Sequence, residues 1–134
     1  MIDASELREI HPIYCYTPKG DTVTFDSIKT LIERTAKVHF VPVAFELSEI
    51  SSNNSSTVTI EDCLIIYHPK HRNNYINFVI RIRRDGDTAY ISKNEYGTSS
   101  LLFNFDGLNE EDENLIAEKK YYESLHAIFN FLKC

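Results

Sequence analysis

Apolar and polar positions alternate most clearly from Tyr75 to Ser92, YINFVIRIRRDGDTAYIS, where two period-two runs flank Asp85-Gly86. Asp-Gly suits the positive φ angles of a two-residue type I′ turn, so the stretch predicts a β-hairpin. With Asp85 and Gly86 as the loop, Arg84 faces Asp87, Ile82 faces Ala89 and Ile80 faces Ile91, leaving one face apolar. On the other face Arg83 meets Thr88, and Arg81 meets Tyr90 in a cation–π pairing. A slip of one residue would turn every isoleucine out to water.

Period changes mark the other elements. Asp3 to Ile10 predicts a short helix: Asp3 is an N-cap with Glu6 three residues on, and Pro12 stops continuation. Ile13 to Thr17 reads as a strand closed by the turn residues Pro18-Lys19-Gly20-Asp21. Thr24 caps a helix over about 24–37, with Phe25, Ile28, Leu31, Ile32 and Ala36 at helical spacing and Val23 placed to staple onto Ile28. Val38 to Leu47 reads as extended, and Pro42 confines it to a sheet edge or a bulge. Ser48 to Thr57, SEISSNNSST, predicts an exposed loop. Val58 to His68 returns to strand character, and the unbroken apolar run Cys63–Tyr67 suits a central strand covered on both faces.

After the hairpin, Lys93 to Ser100 reads as polar loop and Leu101 to Phe105 as a last short strand. Asn109 then caps a long C-terminal helix. Leu115, Tyr122, Leu125, Phe129 and Leu132 run down one side of it, and Ile116 and Ile128 widen the stripe. The fold class that follows is α+β in a single domain, 1–134. Its antiparallel sheet has about five strands, a meander with a central hairpin. An N-terminal-half helix and a long C-terminal helix pack against one face.

Composition narrows the classes. With 134 residues, 43% hydrophobic and 25% charged, the chain is long and apolar enough for a core. Net charge of -6 disfavours a general nucleic-acid binder and favours a basic partner. Neither a signal peptide nor a membrane span is expected. Three cysteines without a pairing pattern fit a reducing cytoplasm.

Enzyme motifs are absent from the sequence: no GxGxxG or Walker pattern, no HExxH, no GxSxG and no CxxC. Cys63, His68 and His71, with His11 and Cys15 further off, are residue types that ligate zinc. Cys63 and His68 lie on opposite faces of one strand, and only His68 and His71 could converge, so neither metal nor cofactor is expected. Cys63 in an apolar strand is the wrong setting for a thiolate, and Cys134 is terminal.

Two charged constellations remain. Lys70, Arg72, Arg81, Arg83 and Arg84 lie among Tyr67, Tyr75 and Phe78, as on a sheet that contacts RNA. Asp106, Glu110, Glu111, Asp112 and Glu113 form an acidic run that exceeds what a helix start needs, with Glu95 and Tyr96 before it. Glu46, Glu49, Glu61 and Asp62 add to the acidic total. The expectation is a non-enzymatic module that uses Glu95, Tyr96, Asp106 and Glu110–Glu113 to bind a basic protein. Its physical type is that of small acidic inhibitors, such as immunity proteins that neutralise basic nuclease toxins. The alternatives are an RNA contact through Arg81 and Arg83, or a small enzyme or metal protein around His68 and His71.

Overall fold

The computed structural model describes residues 1–16, 23–97 and 113–129. They form one sheet, in the order β1-β3-β4-β5-β6-β2, with two helices. Five strands are long: β2 (Arg8–Tyr16), β3 (Ala44–Asn54), β4 (Thr57–Tyr67), β5 (Asn77–Asp85) and β6 (Thr88–Tyr96). β3 to β6 form the expected antiparallel meander. The two-residue β1 (Ile2–Asp3) adds a parallel partner at the β3 edge, so the sheet is mixed. β2 closes the other edge against β6, and Pro12 sits at an irregularity in that pairing, where a missing N–H is tolerated.

The helix expected over Asp3–Ile10 does not form. Asp3 does cap, accepting from the Ser5 N–H, but it caps a single 3-10 turn, Ala4–Glu6. The chain then enters β2, where a ladder along β6 replaces the hydrogen bonds of a short isolated helix. The expected start of α1 (Phe25–Val38) is right: Thr24 accepts from Ser27 N–H, and Ser27 Oγ in turn accepts from Thr24 N–H. Val23 and Ile28 are buried in the same core. α1 ends with Phe40 N–H on the Lys37 carbonyl and Val41 N–H on the Ala36 carbonyl, which places Phe40 in the left-handed region at φ 59°.

Ser48–Thr57 is not a loop. β3 runs through it to Asn54, and Ser55-Ser56 turn the chain directly into β4. An unbroken ladder from Ala44↔Tyr67 to Asn54↔Thr57 overrides the weak strand preference of Ser and Asn. Pro42 accordingly precedes the strand rather than interrupting it.

The central hairpin forms with its turn one residue later than expected. Asp85 pairs with Thr88 around Gly86-Asp87, so Arg84 faces Ala89, Arg83 faces Tyr90, Ile82 faces Ile91 and Ile80 faces Lys93. Gly86 alone takes positive φ (60°), the requirement of a type II′ turn with glycine first. The partner register moves by two, so the faces keep their sides. Ile80 is buried and Ile82 half-buried, and it is Arg83 that stacks over Tyr90.

α2 (Glu113–Ile128) lies with α1 on one face of the sheet. Ile28, Ile32 and Ala36 of α1 meet Tyr121, Leu125, Ile128 and Phe129 over Leu64, Ile66, Phe78, Ile80 and Ile91. Each of these larger side chains contributes about 1.5–3 kcal/mol by leaving water. Cys63, Ile65 and Val79 point to the opposite face, where they cluster with Ile2 and Ile50 and pack against Ala4 and Leu7. The Cys63–Ile66 run of β4 is therefore covered on both faces, as its apolar character requires. The expected strand Leu101–Phe105, the Asn109 cap and Leu132 lie outside the described residues. Ile116 is on the rim of the stripe rather than in it.

Candidate functional site

The start of α1 and the outer half of the β3–β4 ribbon bound an open cavity of about 620 Å³ lined by Met1, Phe25, Asp26, Leu47, Glu49 and Asp62, among others. Local rules position each group. The Thr24 cap fixes the first turn and sets Asp26 in it, where the helix dipole favours negative charge. β3–β4 register places Glu49 directly opposite Asp62 on the helix-bearing face. Like charges in that relation destabilise a sheet. Among the described residues no lysine or arginine side chain lines the cavity, and no cation pairs with any of the three carboxylates.

Apolar surface surrounds this charge. Leu47 is 65% exposed beside Glu49, and Val58 and Ile60 continue the same face of β4 uncovered. The site was missed in the sequence because its parts come from three elements, and SEISSNNSST read as a loop.

Of the expected partner-binding residues, the structure describes Glu95, Tyr96 and the backbone of Glu113. Glu95 turns inward to the helix side, half-buried, and accepts from the Tyr122 hydroxyl. Tyr96 points to the other face and packs against the second core. Glu113 begins α2, and Asp106, Glu110, Glu111 and Asp112 lie outside the described residues. Glu46 pairs with Arg72, and Glu61 with Arg81.

Those pairings also occupy the basic constellation. Arg72 further stacks over Tyr67, Arg83 over Tyr90, and Arg84 donates to the Val23 carbonyl. Arg83 and Arg84 remain exposed at the hairpin end.

His68 and His71 do converge, with ring centroids 4.7 Å apart. His71 stacks on Tyr75 and His68 packs edge-on against Tyr121. The Lys70 N–H donates to His68 Nδ1, so the neutral ring carries its proton on Nε2, which blocks that nitrogen as a metal ligand. Burial, His71 and Lys70 together lower the His68 pKa. Cys63 lies on the opposite face of the sheet, its thiol pushed up to about 11 by burial. Among the described residues no three His, Cys, Asp or Glu side chains gather as a metal site.

One titratable group escaped the sequence reading. Lys93, expected in a polar loop, is a β6 residue 3% exposed under α2. Its Nζ lies 4.9 Å from the Phe78 ring centroid and 4.7 Å from that of Phe129, in contact with His126 Nδ1. Burial lowers its pKa to about 8, against an opposing pull from Glu95. This amine is sealed by packing, so it belongs to the stability of the fold rather than to an open site.

The chain matches no family model, no curated protein and no solved structure. No helix among the described residues is long and apolar enough to cross a membrane. What fold and geometry define is an α+β sheet protein whose open surface is acidic and apolar together.

Proposed function

We propose that this protein is a non-enzymatic binding module for a basic protein, working in the manner of a small acidic inhibitor. The observation that carries the reading is the Glu49–Asp62 cross-strand pair beside exposed Leu47, with Asp26 across the cavity and no lysine or arginine side chain among the described residues lining it. Two opposed carboxylates cost stability in the free protein. A partner's lysine or arginine between them removes that cost on binding, while Leu47, Val58 and Ile60 supply apolar area for contact. The net charge of -6 steers a basic partner from a distance, and the run Asp106–Glu113 adds to that field.

The test is association kinetics with a co-purifying basic partner, measured at low and high salt. Reversing Asp26, Glu49 and Asp62 to Lys is expected to slow association, most strongly at low salt. Reversing Glu110, Glu111 and Asp112 slows it less, and reversing Arg81 and Arg83 to Glu leaves it almost unchanged. Parent-like rates for both acidic triple variants would refute the proposal. A larger loss from the arginine pair, with steep salt dependence, would restore the RNA reading.

A further inference from the structure

We infer that the outer edge of β3 between Ala44 and Glu49 is a strand-addition site, which accepts an extended segment alternating basic and apolar residues. This rests on the protein-binding reading and specifies its geometry. Among the described residues only β1 pairs with that edge, and its register covers Ile50 and Ser51 alone. Against the other described residues, Ala44 to Glu49 therefore presents about 20 Å of unpaired backbone edge, at roughly 3.3 Å per residue. Unpaired edges recruit other strands unless something blocks them. Here no proline interrupts the six residues, and β4 holds them extended from the inner side.

Side chains along the edge define what the added segment must carry. Phe45, Leu47 and Glu49 alternate on the helix side, and Asp26 and Asp62 stand beside Glu49. Lys29 lies over the Phe45 ring, so cationic residues are unfavourable at that end and favourable at the Glu49 end. On the other side Glu46 is held by Arg72 and offers little free charge. An incoming strand thus places an apolar side chain near Phe45 and Leu47 and a lysine or arginine between Glu49 and Asp62. A second copy of this chain is the poorer occupant, because β3 carries no lysine or arginine to set between Glu49 and Asp62.

Three synthetic peptides test the inference: one alternating lysine with valine, one of the same composition in two blocks, and the alternating one N-methylated at every second residue. The alternating peptide is expected to bind the full chain and to slow amide exchange within Ala44–Glu49. The block peptide and the N-methylated peptide should bind at least about tenfold more weakly, because one loses side-chain register and the other the ladder hydrogen bonds. Glu49→Lys should weaken the alternating peptide by about tenfold or more. That variant forms an opposite-charge pair with Asp62, so it stays folded.

Equal binding of plain and N-methylated peptides, without new protection at Ala44–Glu49, would overturn strand addition and leave the acidic binding surface standing. No binding by any peptide would overturn strand addition as well, and the charge-reversal kinetics with the whole partner would judge the broader proposal separately. Self-association through β3, seen as concentration-dependent protection of the same amides without peptide, would also overturn it.

Discussion

Replacing Lys93 by Met probes a charged group that the fold seals beneath α2. Methionine matches the unbranched stem and keeps the contact with Phe78 and Phe129 while removing the ammonium. The magnitude follows from the pKa, lowered from 10.5 to about 8. At 1.36 kcal/mol per unit, holding this proton in the folded state costs about 3 kcal/mol. The folded value lies below the unfolded one, so between pH 8 and 10.5 the unfolded chain binds more protons and stability rises with pH. Below pH 8 both states carry the proton and the full cost stands. Lys93→Met is therefore expected to be more stable than the parent by about 2–3 kcal/mol at pH 7, with the advantage vanishing near pH 10.5.

Urea unfolding of both proteins at pH 7, 9 and 10.5 measures this. Cys63, raised to about 11 from 9.0, is buried neutral, so its contribution is lost as pH rises above 9. Tyr75, Tyr121 and Tyr122, also raised by burial, act in the same direction above pH 10. These groups are common to both proteins and cancel in the difference. A variant less stable than the parent at pH 7, or a difference flat across the series, would refute the reasoning. It would mean that Glu95 and His126 compensate the buried ammonium fully.

Phe129→Ala should cost about 3–5 kcal/mol in chemical unfolding, because the ring is 3% exposed and packs edge-on to Phe78 at 5.5 Å. A loss under 1 kcal/mol would show that α2 does not close the core. Phe40→Gly should stabilise by roughly 0.5–1 kcal/mol in thermal unfolding, since Phe40 holds φ 59° while 92% exposed and so gives up strain without losing packing. An unchanged or lower melting temperature would show that the end of α1 relaxes in solution.

Where information was local, the sequence alone determined the outcome. The Thr24 cap and the helical spacing after it lie within a few residues of each other, and α1 starts where they predict. The inner half of β4 announced itself as central because the run Cys63–Tyr67 is apolar at consecutive positions and has no solvent face to offer. The hairpin's sidedness was legible, but its turn was not. Asp85-Gly86 and Gly86-Asp87 give the same alternation of faces, and only the φ demand on the first turn residue separates them.

Tertiary structure decided the rest. Ser48–Asn54 carries little strand preference of its own, and it becomes β3 because β4 supplies a partner for every residue. Asp3–Ile10 had helical signals, yet pairing along β6 outweighs a helix too short to hold itself. Lys93 looked like the start of a loop until α2, distant in sequence, brought His126 and Phe129 over it. Asp26, Glu49 and Asp62 likewise meet only once α1 has packed on the β3–β4 ribbon. Capping, turn and periodicity are short-range preferences readable along the chain, whereas burial and charge proximity depend on which distant segments pack together.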